Sequence, residues 1–235
     1  MADDIYVITC YFNPLGYRSR RENFDHFARS LAAQGAKLLV VELSRKDGGF
    51  DLDTDDHQCV RVRGEGLIWQ KERMLNIGLQ HLPAGCSKVV WADGDLIFEQ
   101  HDWLARTAAA LDEHVVVQPF DRCLWLPENH LAYVGEVQDG GEERDSFAAC
   151  YLRDPELSRR DTYANHGNTG FAWAARRDFL EARGFYDGCK TGSGDHLMVH
   201  AFERSMESAG IGRMIGEGHG DGRHCGARAA QANGD

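Results

Sequence analysis

Two aspartates flank a glycine in the stretch Asp93-Gly94-Asp95, directly after the apolar run 88–92. An apolar run of this length is typical of a buried strand, so both carboxylates would lie where that strand ends. In open α/β sheets, ligands bind beyond the carboxyl ends of the strands. Two negative charges so close together repel each other, and a divalent cation would relieve that repulsion. Carboxylate oxygens suit Mn²⁺ or Mg²⁺, which keep open positions for substrate phosphates.

The same three residues have simpler interpretations. Asp-Gly is a common turn pair, and a D-x-D pattern often occurs by chance. An EF-hand calcium loop needs a third acidic residue and a terminal glutamate at fixed positions, and the stretch DGDLIFEQHDWL does not supply them. A phosphatase of the D-x-D type carries its motif after the first strand, whereas here the motif follows the fourth predicted strand. The position therefore favours a metal and diphosphate site over a plain turn.

Apolar runs and amphipathic stretches alternate along the first half of the chain. They predict strands at 4–12, 36–43, 58–64, 87–93 and 115–120, and helices at 19–35, 67–82 and 103–114. The resulting order, β-α-β-β-α-β-α-β, predicts an α/β fold with a parallel-centred sheet that is covered on both faces.

Several local signals refine this prediction. Ser19 and Glu22 have the spacing of a capping box, and Gly35 is placed to end the first helix. The second helix is predicted to carry Ile68 on its apolar face. The segment 121–166 is polar and rich in turn residues, which predicts a long functional or disordered loop. A strand and two further helices are predicted after it.

Three blocks of the sequence resemble glycosyltransferases with the GT-A fold, in particular the family 2 group. VVWADGDLIF resembles the D-x-D strand end, and WQKERMLNIGL resembles the R-x-x-N-x-G helix through Arg73, Asn76 and Gly78. GNTGFAWAARRDFLEARGFYDGCKTGSGDHLM resembles the later catalytic block of that family. The resemblance implies a GT-A (nucleotide-diphospho-sugar transferase) Rossmann-like single domain with a central, mostly parallel sheet flanked by helices.

The resemblance also implies an organisation and an activity. A single domain, 1–235, would comprise a nucleotide-sugar-binding half (1–118), an acceptor and catalytic half (119–215) and a flexible tail (216–235). The implied enzyme is a metal-dependent hexosyltransferase, inverting in mechanism. It would move a sugar from a UDP- or GDP-sugar to the hydroxyl of a glycan or another hydroxyl-bearing acceptor.

The residues implied for the donor lie before the D-x-D motif and within it. Donor and nucleotide contacts are predicted at Thr9, Tyr11, Asn13, Glu42, Lys71, Arg73, Asn76, Asp93 and Gly94. Thr9 and Tyr11 have an alternative role in packing the core. Lys71 and Arg73 are a basic pair in an otherwise acidic chain, which suits a diphosphate clamp. Arg18, Arg20 and Arg21 are predicted mainly to form a solvated helix face, from which one can reach a phosphate.

The predicted metal ligands are Asp93, Asp95 and a histidine of the tail. The stretch EGHGDGRHCGAR resembles the His-Gly segment that supplies a further ligand in some GT-A enzymes, which selects His219, with His224 as the alternative. The composition of this tail also fits a disordered glycine-rich segment. His196 and His200 have a spacing that can bind metal on one helix face, but without a third ligand nearby a structural histidine pair is the preferred interpretation.

Asp195 is the predicted catalytic base, because it occupies the position of the second acid of the family's Glu-Asp pair. A carboxylate within hydrogen-bond reach can take the proton of the attacking hydroxyl. Its alternative role is to cap the helix that begins there. Gly194 replaces the family's first acid, which leaves open a retaining enzyme, or His196 as the base. The predicted acceptor and sugar contacts are Asn168, Gly170 and Trp173.

Composition narrows the possible partners. Acidic residues outnumber basic ones, 37 to 26, and the net charge of −11 disfavours a general binder of nucleic acid. The seven cysteines form no C-x-x-C pair, which is typical of reduced thiols. With no predicted signal peptide or transmembrane segment, we expect a cytoplasmic protein.

Two other functions remain open. A nucleotidyltransferase that makes nucleotide sugars would use a similar sheet, but it usually carries a glycine-rich loop after the first strand, and YFNPLGYRSRR has a single glycine. A catalytically inactive nucleotide-sugar-binding module is compatible with glycine at position 194.

Overall fold

A computed structural model of the chain describes residues 4–53, 57–66, 68–156, 166–188 and 194–202. The chain forms two compact units, one of Met1–Pro119 with Phe171–Gly194, the other of Phe120–Gly170 with Asp195–Asp235. Phe171–Gly194 belongs to the first of these units.

The strands are β1 (Ile5–Phe12), β2 (Leu38–Arg45), β3 (Gln58–Gly64), β4 (Lys88–Ala92), β5 (Val116–Val117), β6 (Arg122–Trp125), β7 (Glu142–Asp145) and β8 (Ala172–Arg176). The helices are α1 (Arg18–Ala33), α2 (Lys71–Gln80), α3 (Trp103–Glu113), α4 (Phe147–Arg153), α5 (Arg177–Arg183) and α6 (Gly194–Phe202). No described helix is both long enough and apolar enough to cross a membrane.

A six-stranded sheet with the order β3-β2-β1-β4-β8-β5 forms the centre of the first unit. The four strands β1 to β4 are parallel, while β8 runs antiparallel to both β4 and β5. The predicted α/β class with a mostly parallel sheet is confirmed, as is the predicted order of the first eight elements.

Burial explains why these stretches form the sheet. Every residue of β1 except Tyr6 is buried, and Val89, Val90 and Trp91 of β4 are at most 1% exposed. Continuous burial is typical of central strands with both faces covered. In α1, Phe24, Phe27 and Leu31 face the core at helical spacing.

The helix ends agree only in part with the predicted signals. Gly35, at φ +73°, follows the end of α1 as expected. The capping-box prediction is wrong, because α1 begins at Arg18 with Tyr17 as its N-cap and no side-chain cap bond. Ile68 precedes α2 and is 54% exposed, so its predicted place on the apolar face is also wrong.

The second unit contains more regular structure than the predicted long loop. Strands β6 and β7 pair in antiparallel fashion as a two-stranded sheet. Ser146 follows β7 and caps α4, its Oγ accepting a hydrogen bond from the Ala149 N–H at 3.1 Å. Helix α6 supplies the second chain stretch of this unit from Asp195 onward.

Candidate functional site

A cavity of about 410 Å³ opens at the carboxyl end of β4 in the first unit. Asp93, Gly94 and Asp95 line it from the turn after that strand, and Lys71 lines it from the start of α2. Because β1 and β4 are parallel neighbours, the end of β1 lies beside the motif and adds Tyr11 to the lining. The D-x-D motif therefore lies where an α/β sheet usually binds its ligand.

Asp93 has a positively charged partner within the protein. Lys71 Nζ lies 2.6 Å from Asp93 Oδ1, and the Lys71 side chain is 12% exposed. The Asp93 N–H donates to the Phe171 carbonyl at 2.8 Å, which holds the start of the turn against the residue before β8. A neighbouring lysine thus balances one of the two carboxylates.

Asp95 has a raised pKa. Asp95 is an exposed residue by its accessible surface, but its carboxylate lines the cavity, where partial desolvation is the main cause of the shift and the negative charge of Asp93 is the second. Arg20 and Lys71 oppose this shift without cancelling it. The ionised form of Asp95 is therefore short of positive charge, which is the electrostatic condition that a bound cation would relieve.

Gly94 allows the close packing of the turn. A Cβ at this position would lie 3.3 Å from Phe24 Cδ2 and 3.4 Å from Thr9 Oγ1. Thr9 is fully buried, and its hydroxyl donates to the Ala92 carbonyl at 2.7 Å. Thr9 thus ties β1 to the end of β4, which is the packing role that we left open for it.

An aromatic and basic rim borders the cavity. The Trp69 ring stacks on Phe12 with centroids 6.1 Å apart, and the Arg20 guanidinium lies 5.7 Å from the Trp69 centroid. Tyr17 also lines the cavity and is 59% exposed. Sequence reasoning missed Trp69 and Tyr17; the available signal was an aromatic residue just before each of the two helices.

Among the predicted donor contacts, Tyr11, Asn13 and Glu42 form a network around the segment Asp51–Leu52, while Thr9 packs beside Gly94. The Tyr11 hydroxyl donates to the Asp51 carboxylate, and Asn13 Nδ2 donates to the same group at 3.1 Å. Glu42 is 1% exposed and accepts the Asp51 and Leu52 N–H groups at 2.5 and 3.1 Å. Burial, followed by the bond to Asp51, raises the pKa of Tyr11. Of the four predicted residues, Tyr11 lines the cavity.

The R-x-x-N-x-G helix fastens a neighbouring segment. Asn76 Oδ1 accepts the Phe185 N–H and Asn76 Nδ2 donates to the Phe185 carbonyl, both at 2.8 Å. Arg73 forms an ion pair with Asp187 at 3.1 Å and is exposed. Neither residue lines the cavity with Lys71. In this structure the Arg73 guanidinium is paired with Asp187 and not placed beside Lys71, and its diphosphate contact stays a prediction.

Trp173 belongs to the core of the sheet. It lies on β8 opposite Trp91 of β4 and is 5% exposed. The ring therefore packs within the sheet, and its predicted contact with an acceptor sugar stays a prediction.

Three predicted residues come together within the second unit. The Gly170 N–H donates to Asn168 Oδ1 at 2.8 Å. A Cβ on Gly170 would lie 3.6 Å from Asp195 Oδ2, so glycine leaves room for this carboxylate. Asp195 is half-buried in the first turn of α6, where a negative charge interacts favourably with the helix dipole. The helix begins one residue earlier, at Gly194.

The predicted histidines have different surroundings. His196 is 4% exposed and packs against His200 and His166, so the His196–His200 pair has the third histidine that its spacing did not reveal. His166 is separated from His196 by 30 positions, and no sequence motif links the two. His219 and His224 lie outside the described residues.

No protein-family model matches the sequence, and no curated protein matches it. Solved structures with a similar fold include the catalytic domain of Drosophila beta-1,4-galactosyltransferase 7 in complex with xylobiose (12% identity, TM-score 0.43, covering 88% of this chain). This chain spans 62% of that domain's length. The 4-diphosphocytidyl-2C-methyl-D-erythritol synthase of Anaerococcus prevotii is also similar (13% identity, TM-score 0.41, covering 87% of this chain and 100% of that one). Similarity at this level assigns no activity.

Proposed function

We propose that this chain is a metal-dependent glycosyltransferase that transfers a sugar from a nucleotide-diphosphate sugar to an acceptor hydroxyl. The observation that carries the proposal is the cavity at the end of β4, which combines Asp93 and Asp95 with Lys71, Arg20 and an aromatic rim. Carboxylates suit a hard cation, basic side chains suit phosphate oxygens, and aromatic rings suit a nucleobase.

The two carboxylates fit Mn²⁺ or Mg²⁺. Asp95 has a raised pKa because the cavity desolvates it beside Asp93, and a cation there would stabilise both ionised groups. When bound, the ion would neutralise the charge that builds on the departing nucleoside diphosphate. Asp93 and Asp95 would hold it, with the diphosphate and a further ligand, predicted as His219, completing its shell.

Lys71 has two possible partners in this scheme. In the described structure its Nζ pairs with Asp93 at 2.6 Å. When a cation takes over the neutralisation of Asp93, the same ammonium group can turn to a diphosphate oxygen. Arg20 lines the same cavity and is the second candidate for a phosphate contact. Trp69 and Tyr17 are the candidates for contact with the base.

Asp195 is the proposed base of an inverting transfer. It would take the proton of the acceptor hydroxyl while that oxygen attacks the anomeric carbon. Asp195 is preferred over His196, since Asp195 is half-buried beside Gly170 whereas His196 is 4% exposed within the histidine cluster.

A panel of nucleotide sugars screened by thermal shift with Mn²⁺ tests the donor site. A ligand that binds the folded state raises the melting temperature in proportion to its affinity. We expect one UDP- or GDP-sugar to raise it in the wild type and not in Asp95→Ala. Asp47→Ala, an exposed carboxylate outside the cavity, serves as the matched control and should respond like the wild type. No shift with any donor would overturn the proposal.

Turnover separates the possible activities. A glycosyltransferase should slowly hydrolyse its donor in the presence of Mn²⁺ and release the nucleoside diphosphate. Release that needs Asp95 supports the proposal, and binding without release under any metal or acceptor indicates an inactive module. Formation of pyrophosphate from a nucleoside triphosphate and a sugar phosphate would indicate a nucleotidyltransferase instead.

A further inference from the structure

Three buried imidazoles meet within the second unit. His166, His196 and His200 are 1%, 4% and 1% exposed. Each offers a ring nitrogen, and the three ligand atoms all lie within 4.8 Å of one another. The ring centroids of His196 and His200 are 4.6 Å apart, and those of His166 and His196 are 4.9 Å apart. Such a convergence of imidazoles in a buried position is the arrangement of a metal centre.

We propose that His166, His196 and His200 bind one divalent transition-metal ion, with Zn²⁺ as the reference ion. Imidazole nitrogen suits Zn²⁺, Co²⁺, Ni²⁺ and Cu²⁺, whereas Mg²⁺ and Ca²⁺ prefer oxygen ligands. The site is therefore different in chemistry from the carboxylate pair Asp93 and Asp95, and it does not depend on the proposed transferase activity.

The backbone fixes one ring in the required form. His166 Nδ1 lies 3.1 Å from the Gly167 carbonyl oxygen. A carbonyl oxygen only accepts, so a hydrogen bond at this position is donated by Nδ1, which leaves Nε2 as the nitrogen of His166 that can bind a metal ion. Metal-binding histidines usually donate their other ring N–H in this way, which sets the tautomer and the ring orientation.

The loop that carries His166 is itself fastened. Gly167 has φ +74°, and a Cβ there would lie 2.5 Å from the Ser146 carbonyl oxygen, so only glycine fits this close approach. The Asn168 N–H donates to the Asp145 carbonyl at 2.8 Å, and the Phe147 N–H donates to the Asn168 carbonyl at 2.9 Å. The loop is thus anchored to the end of β7 and the start of α4.

The other two ligands lie on one helix. His196 and His200 are separated by four positions on α6, so both side chains project from the same face. The nitrogens of ligands at about 2.0–2.1 Å from a tetrahedral Zn²⁺ lie roughly 3.3 Å apart. Small side-chain rotations would therefore close the cluster around an ion. The three rings leave one position for water or another donor.

The ion would stabilise the second unit. It would join α6 to the loop that follows residue 165, two stretches that are far apart in the sequence. Binding that requires the folded arrangement adds its free energy to folding. We therefore assign the site a structural role, consistent with its burial.

Metal content of untagged protein tests the site directly. After treatment with chelator, Zn²⁺ loading and desalting, we expect about one Zn²⁺ per chain in the wild type and a loss of at least tenfold in affinity in His166→Ala, His196→Ala and His200→Ala. His130→Gln removes an exposed histidine of the same unit and should keep the ion. Equal retention by the triad variants, or none by the wild type, overturns the proposal.

Two further measurements guard against misfolded variants and other ligands. A Co²⁺-loaded wild type should give visible bands of a nitrogen-rich site without a thiolate charge-transfer band, and a thiolate band would overturn the assignment. A hundredfold excess of Zn²⁺ over its Kd should raise the melting temperature by about 5–10 °C. His200→Gln should fold, but Zn²⁺ should not raise its melting temperature. The same increase as in the wild type would contradict the proposed metal site.

A crossed comparison separates this site from the D-x-D site. The double variant Asp93→Asn, Asp95→Asn should keep Zn²⁺ and Co²⁺ binding, while His200→Gln should keep the response to Mn²⁺ with a nucleotide sugar. Loss of Zn²⁺ binding in the aspartate variant would overturn the histidine site. Absence of any nucleotide-sugar response with intact Zn²⁺ binding would count against the transferase alone.

Discussion

The carboxylate of Glu72 occupies the space that a side chain at position 194 would need. A Cβ placed on Gly194 would overlap Glu72 Oε1 and lie 2.5 Å from Glu72 Cδ. Glu72 lies in the first turn of α2 beside Lys71. Glycine at position 194 lacks the acidic side chain expected there from the family resemblance. It also leaves the space that the Glu72 carboxylate of α2 occupies.

This contact predicts that the effect of Gly194→Ala on the free energy of unfolding depends on whether Glu72 is present. In the wild type, Gly194→Ala should be neutral or destabilising, because Glu72 must move. In a Glu72→Ala background the obstacle is absent, and Gly194→Ala should stabilise by about 0.5 kcal/mol, since alanine favours the helix over glycine. Urea denaturation of the four proteins measures the coupling.

Gly85→Ala is the matched control for this cycle, because a Cβ there would meet no atom within 4 Å. Its effect on the free energy of unfolding should be the same with and without Glu72. Additive effects of Gly194→Ala and Glu72→Ala would contradict the steric relationship.

Lys71→Met should separate metal binding from nucleotide binding. Removal of the ammonium leaves Asp93 to the cation alone, so the affinity for Mn²⁺ without nucleotide should rise while the affinity for the nucleotide sugar falls. The lost ion pair should also cost on the order of 1–2 kcal/mol of stability, because it is only partly exposed. Mn²⁺ titration followed by electron paramagnetic resonance, with calorimetry for the nucleotide, measures both changes.

Lys88→Met is the control for the loss of a partly buried lysine. Lys88 lies at the other end of β4, is 13% exposed and pairs with Asp112 at 2.5 Å. It should lose comparable stability with no change in Mn²⁺ affinity. A decrease of Mn²⁺ affinity in Lys71→Met would refute the competition between lysine and metal.

Asp95→Asn should change how stability depends on pH in the metal-free protein. The pKa of Asp95 is raised in the folded state, so the folded protein binds more protons than the unfolded chain between the two pKa values. Stability contributed by this group is therefore lost as pH rises through that window. Asp95→Asn should be slightly more stable than the wild type above the window, because solvent screens most of the effect at an exposed carboxylate, and equally stable below it.

Thermal denaturation in the presence of a chelator from pH 3 to pH 7 measures this difference. The melting temperature of the control Asp47→Asn should depend on pH in the same way as that of the wild type. Added Mn²⁺ should stabilise the wild type and not Asp95→Asn. A variant that is less stable than the wild type at neutral pH would show that Asp95 has a favourable partner instead.

Asn76→Ala should destabilise the first unit. It removes two hydrogen bonds to the backbone of Phe185, whose ring packs edge-on against Trp91 at 5.1 Å. We expect a loss of about 1–3 kcal/mol, with Asn76→Asp intermediate because it keeps the acceptor and loses the donor. Tryptophan fluorescence during urea denaturation reports the change. Gln80→Ala, at the exposed end of α2, should lower the free energy of unfolding far less. An equal loss in both variants would contradict the role of the Asn76–Phe185 hydrogen bonds.

Local patterns predicted the fold better than the site. Apolar runs identified the parallel strands β1, β2 and β4, because burial of both faces leaves a continuous hydrophobic signal, whereas β3 is short, polar at alternate positions and not buried. The capping box failed because the N-cap is Tyr17, two residues before Ser19, and Asn13 Oδ1 accepts the Tyr17 N–H at 2.8 Å. The antiparallel position of β8 between β4 and β5 could not be predicted, because no local sequence pattern specifies the partners of a strand.

The site was predicted where the chemistry lies in one short motif. Asp93 and Asp95 line the cavity as expected, since a strand end followed by two carboxylates is a local pattern. Arg73 was assigned to the diphosphate from its charge and from the resemblance to the R-x-x-N-x-G helix, and its partner Asp187 lies 114 positions away. His166 was missed for the same reason, because the contact that brings it to His196 is made by the fold and not by spacing.

The position of β8 has a consequence for the order of folding. Among the described strands, β5 pairs with β8 alone, yet β8 is synthesised more than 50 residues later. The parallel strands β1 to β4 can assemble as soon as they emerge, whereas β5 must wait until the whole intervening segment has been made. Long-range pairing of this kind is slow, because loop closure precedes any gain from the contact. During synthesis the growing sheet therefore has an open edge at β4, which is where nascent chains would be expected to recruit a chaperone or to aggregate.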